Sequence, residues 1–137
     1  MKAANPNAEY NYICKADRDL PESEQTTFVL THLTAEQNYK LDDVSGISGD
    51  DGFIITLGTS NLLAIHMGLK AVKNLVDEKS GNEIELKRDE TKGKKTLPGV
   101  GRPWKMNLID KIPKDARDEI ALVIKNGGEL TEAEAKN

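Results

Sequence analysis

Nineteen residues near the middle of the chain, Lys87 to Lys105, are too charged to build a core element. They hold Lys87, Arg88, Lys92, Lys94, Lys95, Arg102 and Lys105 against Asp89 and Glu90 alone, a net +5 in a chain whose formal net charge is −4. Everything outside the segment therefore carries −9. The segment also contains Gly93, Gly99, Gly101, Pro98 and Pro103 and few apolar residues. It reads as a long, mobile, basic loop on an acidic body. Any fold must leave the core after Leu86 and return to it at Trp104.

The 137 residues predict one domain, 1–137. Apolar residues make up 37% and aromatics 4%, so the core is modest and mostly aliphatic. Cys14 is the single cysteine, which excludes an internal disulfide and fits a reducing compartment. The start, MKAANPNAEYNY, has no apolar stretch of the kind a secretory signal needs, and 1–15 reads as an N-terminal arm. No run approaches the length of a membrane span, so no membrane contact is expected. The acidic balance argues against a general nucleic-acid binder, while direct nucleic-acid contact through the basic loop stays open.

Periodicity predicts an α+β fold in which a small, mostly antiparallel sheet packs against two main helices, with a long basic loop and loose termini. The strands are expected at Thr26–Thr31, at the β-branched run Phe53–Leu57 and at the alternating Glu83–Leu86; Tyr10, Tyr12 and Ile13 form a short extended piece. A helix over Thr59–Val76, capped by Thr59 or Ser60, follows from the three- and four-residue steps of Leu62, Ile65, His66, Leu69, Val72 and Val76. Gly68 inside it points to close packing. A second helix, Pro113–Asn126, opens on Pro113 and stops at Gly127-Gly128. Thr34-Ala35-Glu36-Gln37 is a capping box for a short surface helix running to about Asp43. Ser45 to Gly52 and Asp77 to Asn82 read as turns, the latter with Ser80-Gly81-Asn82 supplying the left-handed position. Residues 129–137 carry another capping box, Thr131 to Glu134, and a short tail helix.

No catalytic, cofactor or metal motif is complete, so the expected catalytic, cofactor and metal residues are none. Gly58-Thr59-Ser60-Asn61-Leu62 lacks the last small residue of a nucleophile elbow. Gly93-Lys94-Lys95-Thr96 lacks the earlier glycine and the hydroxyl of a phosphate loop. Cys14, His32 and His66 do not have zinc-site spacing, and Asp42, Asp43, Asp50 and Asp51 do not match a calcium loop. His66 reads as a hydrogen-bonded core residue, His32 as packing at the sheet edge, and Trp104 as a core anchor where the loop returns. The partner-binding candidates are therefore Lys87, Arg88, Lys92, Lys94, Lys95, Arg102 and Lys105. The alternative for such a charge run is simple solvation.

Three stretches carry a resemblance. They are Ala16-Asp17-Arg18-Asp19-Leu20-Pro21-Glu22-Ser23-Glu24-Gln25-Thr26-Thr27-Phe28 followed by a strand and Leu33-Thr34-Ala35-Glu36-Gln37, the element from Gly68-Leu69 through Asp77-Glu78-Lys79-Ser80-Gly81-Asn82-Glu83-Ile84, and Leu108 to Ile120 followed by Leu130 to Asn137. Together they resemble small proteins encoded among the head and tail genes of tailed bacteriophages and prophages, over about two-thirds of the chain. The resemblance implies a non-enzymatic virion structural protein or a tail or head assembly protein, related to tail assembly chaperones. Its partners would be other phage structural proteins in an oligomeric assembly. It places the chain in the cytoplasm of the infected bacterium, with incorporation into the virion left open. Two other classes stand beside it: a phage-encoded inhibitor that binds a host protein, and an enzyme using Ser60 or His66.

Overall fold

The structure is a computed structural model that describes residues 1–3, 5, 8–45, 50–89 and 103–128. In chain order its elements are β1 (Glu9–Tyr12), β2 (Thr27–Thr31), α1 (Ala35–Ser45), α2 (Asp50–Gly68), β3 (Leu69–Lys73), α3 (Met106–Ile109) and α4 (Lys114–Lys125). The fold is α+β, as expected: β2 lies between β1 and β3 and pairs antiparallel with both. One face of the sheet presents Phe28 and Leu30. Tyr12 and Val72 stand opposite Phe28, and Tyr10 and Leu69 opposite Leu30. This face packs on Ala64, Ile65 and Met67 of α2 and Ile120, Val123 and Ile124 of α4.

Local signals set several boundaries. At the start of α1 the Gln37 amide donates to Thr34 Oγ1 (3.2 Å) and the Thr34 amide donates to Gln37 Oε1 (2.9 Å), the two reciprocal bonds of a capping box. At the end of α4, Gly127 and Gly128 take φ of 70° and 97°. Gly128 N–H donates to Val123 O (2.9 Å) and Gly127 N–H to Ile124 O (3.3 Å), the Schellman closure that satisfies the last carbonyls. Gly81, at φ 72°, closes the 77–82 turn, and Asp77 Oδ1 accepts from the Lys79 and Ser80 amides within it.

Other expectations are corrected. Phe53–Leu57 is not a strand but part of α2. A short β-branched apolar run has the same composition in a buried strand and a buried helix, and here it is continuous with the helical residues after it. Gly58 does not break the helix, so Thr59 and Ser60 lie inside it rather than at its cap. The helix ends at Gly68, not Val76, because Leu69–Lys73 leaves to become β3. The ladder steps from Val29↔Ala71 to Leu30↔Leu69, passing Lys70. This bulge lets Leu69 and Val72, three apart, face the same core, a spacing that mimics helical periodicity. Glu83–Leu86 forms no strand; Glu83 makes an isolated bridge to Val76 and the Ile84 amide donates to Leu75 O (2.6 Å). In the 1–15 segment, residues 9–12 are not an arm but the edge strand β1. Asp50 to Gly52, expected in a turn, already lie in α2. The turn residues 46–49, the middle of the basic segment at 90–102 and the tail at 129–137 lie outside the described residues.

Gly68 packs against α4 as its position suggested. A Cβ there would lie 2.6 Å from Ile124 Cγ2 and 3.0 Å from two more Ile124 carbons, and Ile124 is buried. The clash outweighs the gain in helix propensity from alanine. Gly68→Ala should therefore cost about 1–3 kcal/mol in urea unfolding. Combined with Ile124→Ala, which removes the clashing atoms, the two losses should sum to less than their parts; strict additivity would show that the contact does not exist.

Candidate partner-binding site at the base of the basic segment

The two ends of the basic segment are tied together. The Asp89 amide donates to Pro103 O (2.8 Å) and the Lys105 amide to Lys87 O (3.1 Å), with Arg88 and Trp104 bridged antiparallel between them. Alternation then sorts the side chains. Glu83, Glu85 and Lys87 are exposed, while Ile84, Leu86 and Arg88 turn inward. Lys105 is exposed beside Lys87.

What Arg88 and Trp104 turn toward is the end of α2. The last carbonyls of a helix have no intrahelical donor and carry the negative end of its dipole. Arg88 Nη1 donates to His66 O (3.1 Å), and Nη2 makes a longer contact to Leu69 O (3.5 Å). The Trp104 indole Nε1 donates to the same Leu69 O (3.1 Å), and the Trp104 amide donates to His66 Nδ1 (3.1 Å). The Arg88 guanidinium lies 3.8 Å from the centre of the Trp104 ring, within cation–π range. Trp104 is 6% exposed and His66 3%. These groups form one clasp that joins the parts of the chain on either side of the basic segment.

The electrostatics follow from the geometry. Burial, and then the neighbouring Arg88 charge, pull the His66 pKa below its ordinary 6.5. A neutral ring is what the clasp requires, because Nδ1 must accept the Trp104 amide proton. Burial also lowers the Arg88 pKa, although an arginine keeps its charge in proteins.

Of the seven basic residues singled out by sequence, Lys87 and Lys105 stand exposed at the base. Arg88 is half-buried and holds the end of α2, because its position continues the inward alternation of Ile84 and Leu86. Lys92, Lys94, Lys95 and Arg102 lie outside the described residues. His66 and Trp104 occupy the core positions expected of them. His32 sits just past β2, its ring 4.9 Å from that of Tyr10.

Two further polar clusters had no sequence signal, because their partners lie far apart in the chain. Glu119 Oε2 accepts from Tyr12 Oη (2.7 Å) and from the Lys15 amide (2.9 Å), locking the segment after β1 onto α4. Arg18 Nη2 donates to the same Tyr12 oxygen (3.3 Å). Beside them the buried Cys14 thiol is pushed up to about 12 by burial and by the Glu119 carboxylate, which leaves it protonated and unreactive. Across the core, Lys125 Nζ donates to Ser60 Oγ (2.6 Å) and Asn61 Oδ1 (2.5 Å). A serine bonded to a lysine is an arrangement that nucleophilic catalysis uses. Ser60 here has 0% exposure, so the contact links α2 to α4 without offering the hydroxyl to a substrate. Among the described residues no group of three or more metal-binding side chains occurs, and no helix is long and apolar enough to cross a membrane.

Comparison with protein-family models, curated proteins and solved structures returns no match to this chain.

If Arg88 caps α2, Arg88→Ala should lower stability by about 2–3 kcal/mol, the range for charged hydrogen bonds and a desolvated cation over an indole. Lys87→Gln and Lys105→Gln should leave it unchanged. Equal effects of all three in denaturant titrations would refute the assignment.

The lowered His66 pKa gives a second outcome with a definite sign. Above about 6.5 the histidine is neutral in both folded and unfolded chains, and its contribution to stability is complete. As the pH falls below 6.5 the unfolded chain takes up the proton first, so stability declines until the lowered folded pKa is passed. Unfolding free energies measured from pH 8 to pH 5 should show this decline, and a His66→Gln variant should show less of it. An identical slope in the two proteins would contradict the assignment.

Proposed function

We propose that this chain is a non-enzymatic bacteriophage virion structural protein or tail or head assembly protein, working through protein–protein contacts, with the basic segment 87–105 as its docking element. The observation that carries the docking reading is the clasp. A buried tryptophan, an arginine and a histidine fix where the segment leaves the acidic body, and Lys87 and Lys105 remain exposed side by side at that point. Fixing both ends of a binding segment lowers the ordering cost paid on association. A net +5 concentrated there favours an acidic surface and fast, salt-sensitive encounter. The phage assignment rests on the resemblance of residues 16–28, 68–84 and 108–120 to head and tail gene products. The setting is the cytoplasm of the infected bacterium, with the virion as the second possible location.

Mass spectrometry of purified particles, together with affinity capture from infected cells, tests this. The chain should appear in particles or with an unassembled head or tail protein. Capture should weaken with salt and fail when Lys87, Lys92, Lys94, Lys95, Arg102 and Lys105 are replaced by Gln with Arg88 retained. Absence from both preparations, capture of a host protein instead, or undiminished capture by the variant would overturn the proposal.

A further inference from the structure

A hollow of about 270 Å³ lies between the turn after β1, the sheet and the first turns of α4. Phe28, Leu75 and Ala116 give it an apolar lining, and Asp17, Asp115 and Glu119 bring three carboxylates to it. None of the three is ion-paired among the described residues. Asp17 accepts the Thr26 amide (2.9 Å) and Glu119 is held by Tyr12 and Lys15, so two of the acids are fixed in place; Asp115 is exposed. The neighbouring 17–24 stretch adds Asp19, Glu22 and Glu24, all exposed, and the one cation within it, Arg18, is engaged with Tyr12 and Ile13 O. An apolar hollow among carboxylates with no ion pair among the described residues is complementary to a segment that carries lysines next to one aliphatic side chain. This chain contains such a segment: Lys94-Lys95-Thr96-Leu97.

We infer that the hollow receives the basic segment of a second copy of this chain, with Leu97 on the apolar lining and Lys94 and Lys95 on the carboxylates. The inference rests on the docking reading above and names the partner. The position of the two sites favours a second copy over the same chain. Arg88 and Trp104 are anchored at Leu69, whereas Leu75, lining the hollow, lies past the other end of β3. The five residues of β3, with one bulge, separate them by about 15 Å. The thirteen residues 90–102 divide into two limbs of about six residues each, which reach that far only when close to fully stretched. A neighbouring copy can meet the segment without that stretch. Because the donor segment and the acceptor hollow are different surfaces, the contact is head-to-tail; it continues to a ring if the rotation closes and to a filament if it does not.

Charge exchange tests this on the full chain. In sedimentation velocity at low salt the protein should form oligomers that dissociate as salt or dilution increases. Lys95→Glu and Asp115→Lys should each weaken association about tenfold or more, since each sets like charges opposite one another. Mixing the two variants should restore assembly, because the carboxylate introduced in the segment of one then meets the ammonium introduced in the hollow of the other, and the unaltered segment meets the unaltered hollow. Circular dichroism checks that both fold, and Asp115→Asn serves if Asp115→Lys does not. A chain that is monomeric at every concentration and salt, or variants that associate like the parent or fail to complement, would overturn the inference. The assembly proposal stands separately: a monomeric chain that still enters particles through its basic segment refutes this inference alone. Complementing variants that never reach a particle or a phage protein refute the assembly proposal alone.

Discussion

Helix α2 ends in carbonyls that no further turn can satisfy, and the groups that satisfy them come from both ends of the most highly charged part of the chain. His66 O receives Arg88, Leu69 O receives Arg88 and the Trp104 indole, and His66 Nδ1 receives the Trp104 amide. The rest of the architecture depends on this point. At Gly68 the chain passes from helix to strand while touching Ile124 of α4, so a displaced α2 terminus would disturb the α2–α4 contact and the β2–β3 ladder together. The clasp also closes the circuit between the sheet-forming part of the chain and α4, which are otherwise separated in sequence by residues unsuited to a core. A cation lying on a buried indole and bonded to a helix-terminal carbonyl, His66 O, suits this task, because it offsets the dipole and satisfies an acceptor at once.

Residues whose structure is set by near neighbours could be read from the sequence. The Thr34–Gln37 box, the glycines at 81, 127 and 128, the proline opening α4 and the core placement of β2 are all local or strictly periodic signals. The α2–β3 boundary could not be read that way. Ile65, Leu69 and Val72 have helical spacing, and only a bulge at Lys70, which depends on pairing with β2, makes the same spacing fit a strand. The run at 53–57 failed for a related reason: propensity favours a strand, but the helix that contains it extends to Gly68. In the candidate site, Arg88 was classed by its charge, although its place in the alternation of Ile84 and Leu86 marks it as inward-facing. The partners of Glu119 and Lys125 lie 107 and 65 residues away, and no local pattern announces contacts of that range.

This reassignment of Arg88 sharpens what the basic segment can do. A run of lysines alone is a solvated feature of many acidic proteins. A run whose two ends are fixed to a helix terminus by a buried aromatic residue has a defined origin on the surface, and so a limited set of places it can reach. Carboxylates gather past the other end of β3, away from the exposed Lys87 and Lys105, and the proposed docking would bring unlike charges together.

The clasp is the central claim, and native-state hydrogen exchange read at single amides tests it most directly. The Asp89, Trp104 and Lys105 amides should be protected to a degree comparable with those of β2, because each donates within the clasp and opens only with the α2 terminus. Exchange of these three amides at the rate of an unstructured chain, while β2 remains protected, would contradict the account.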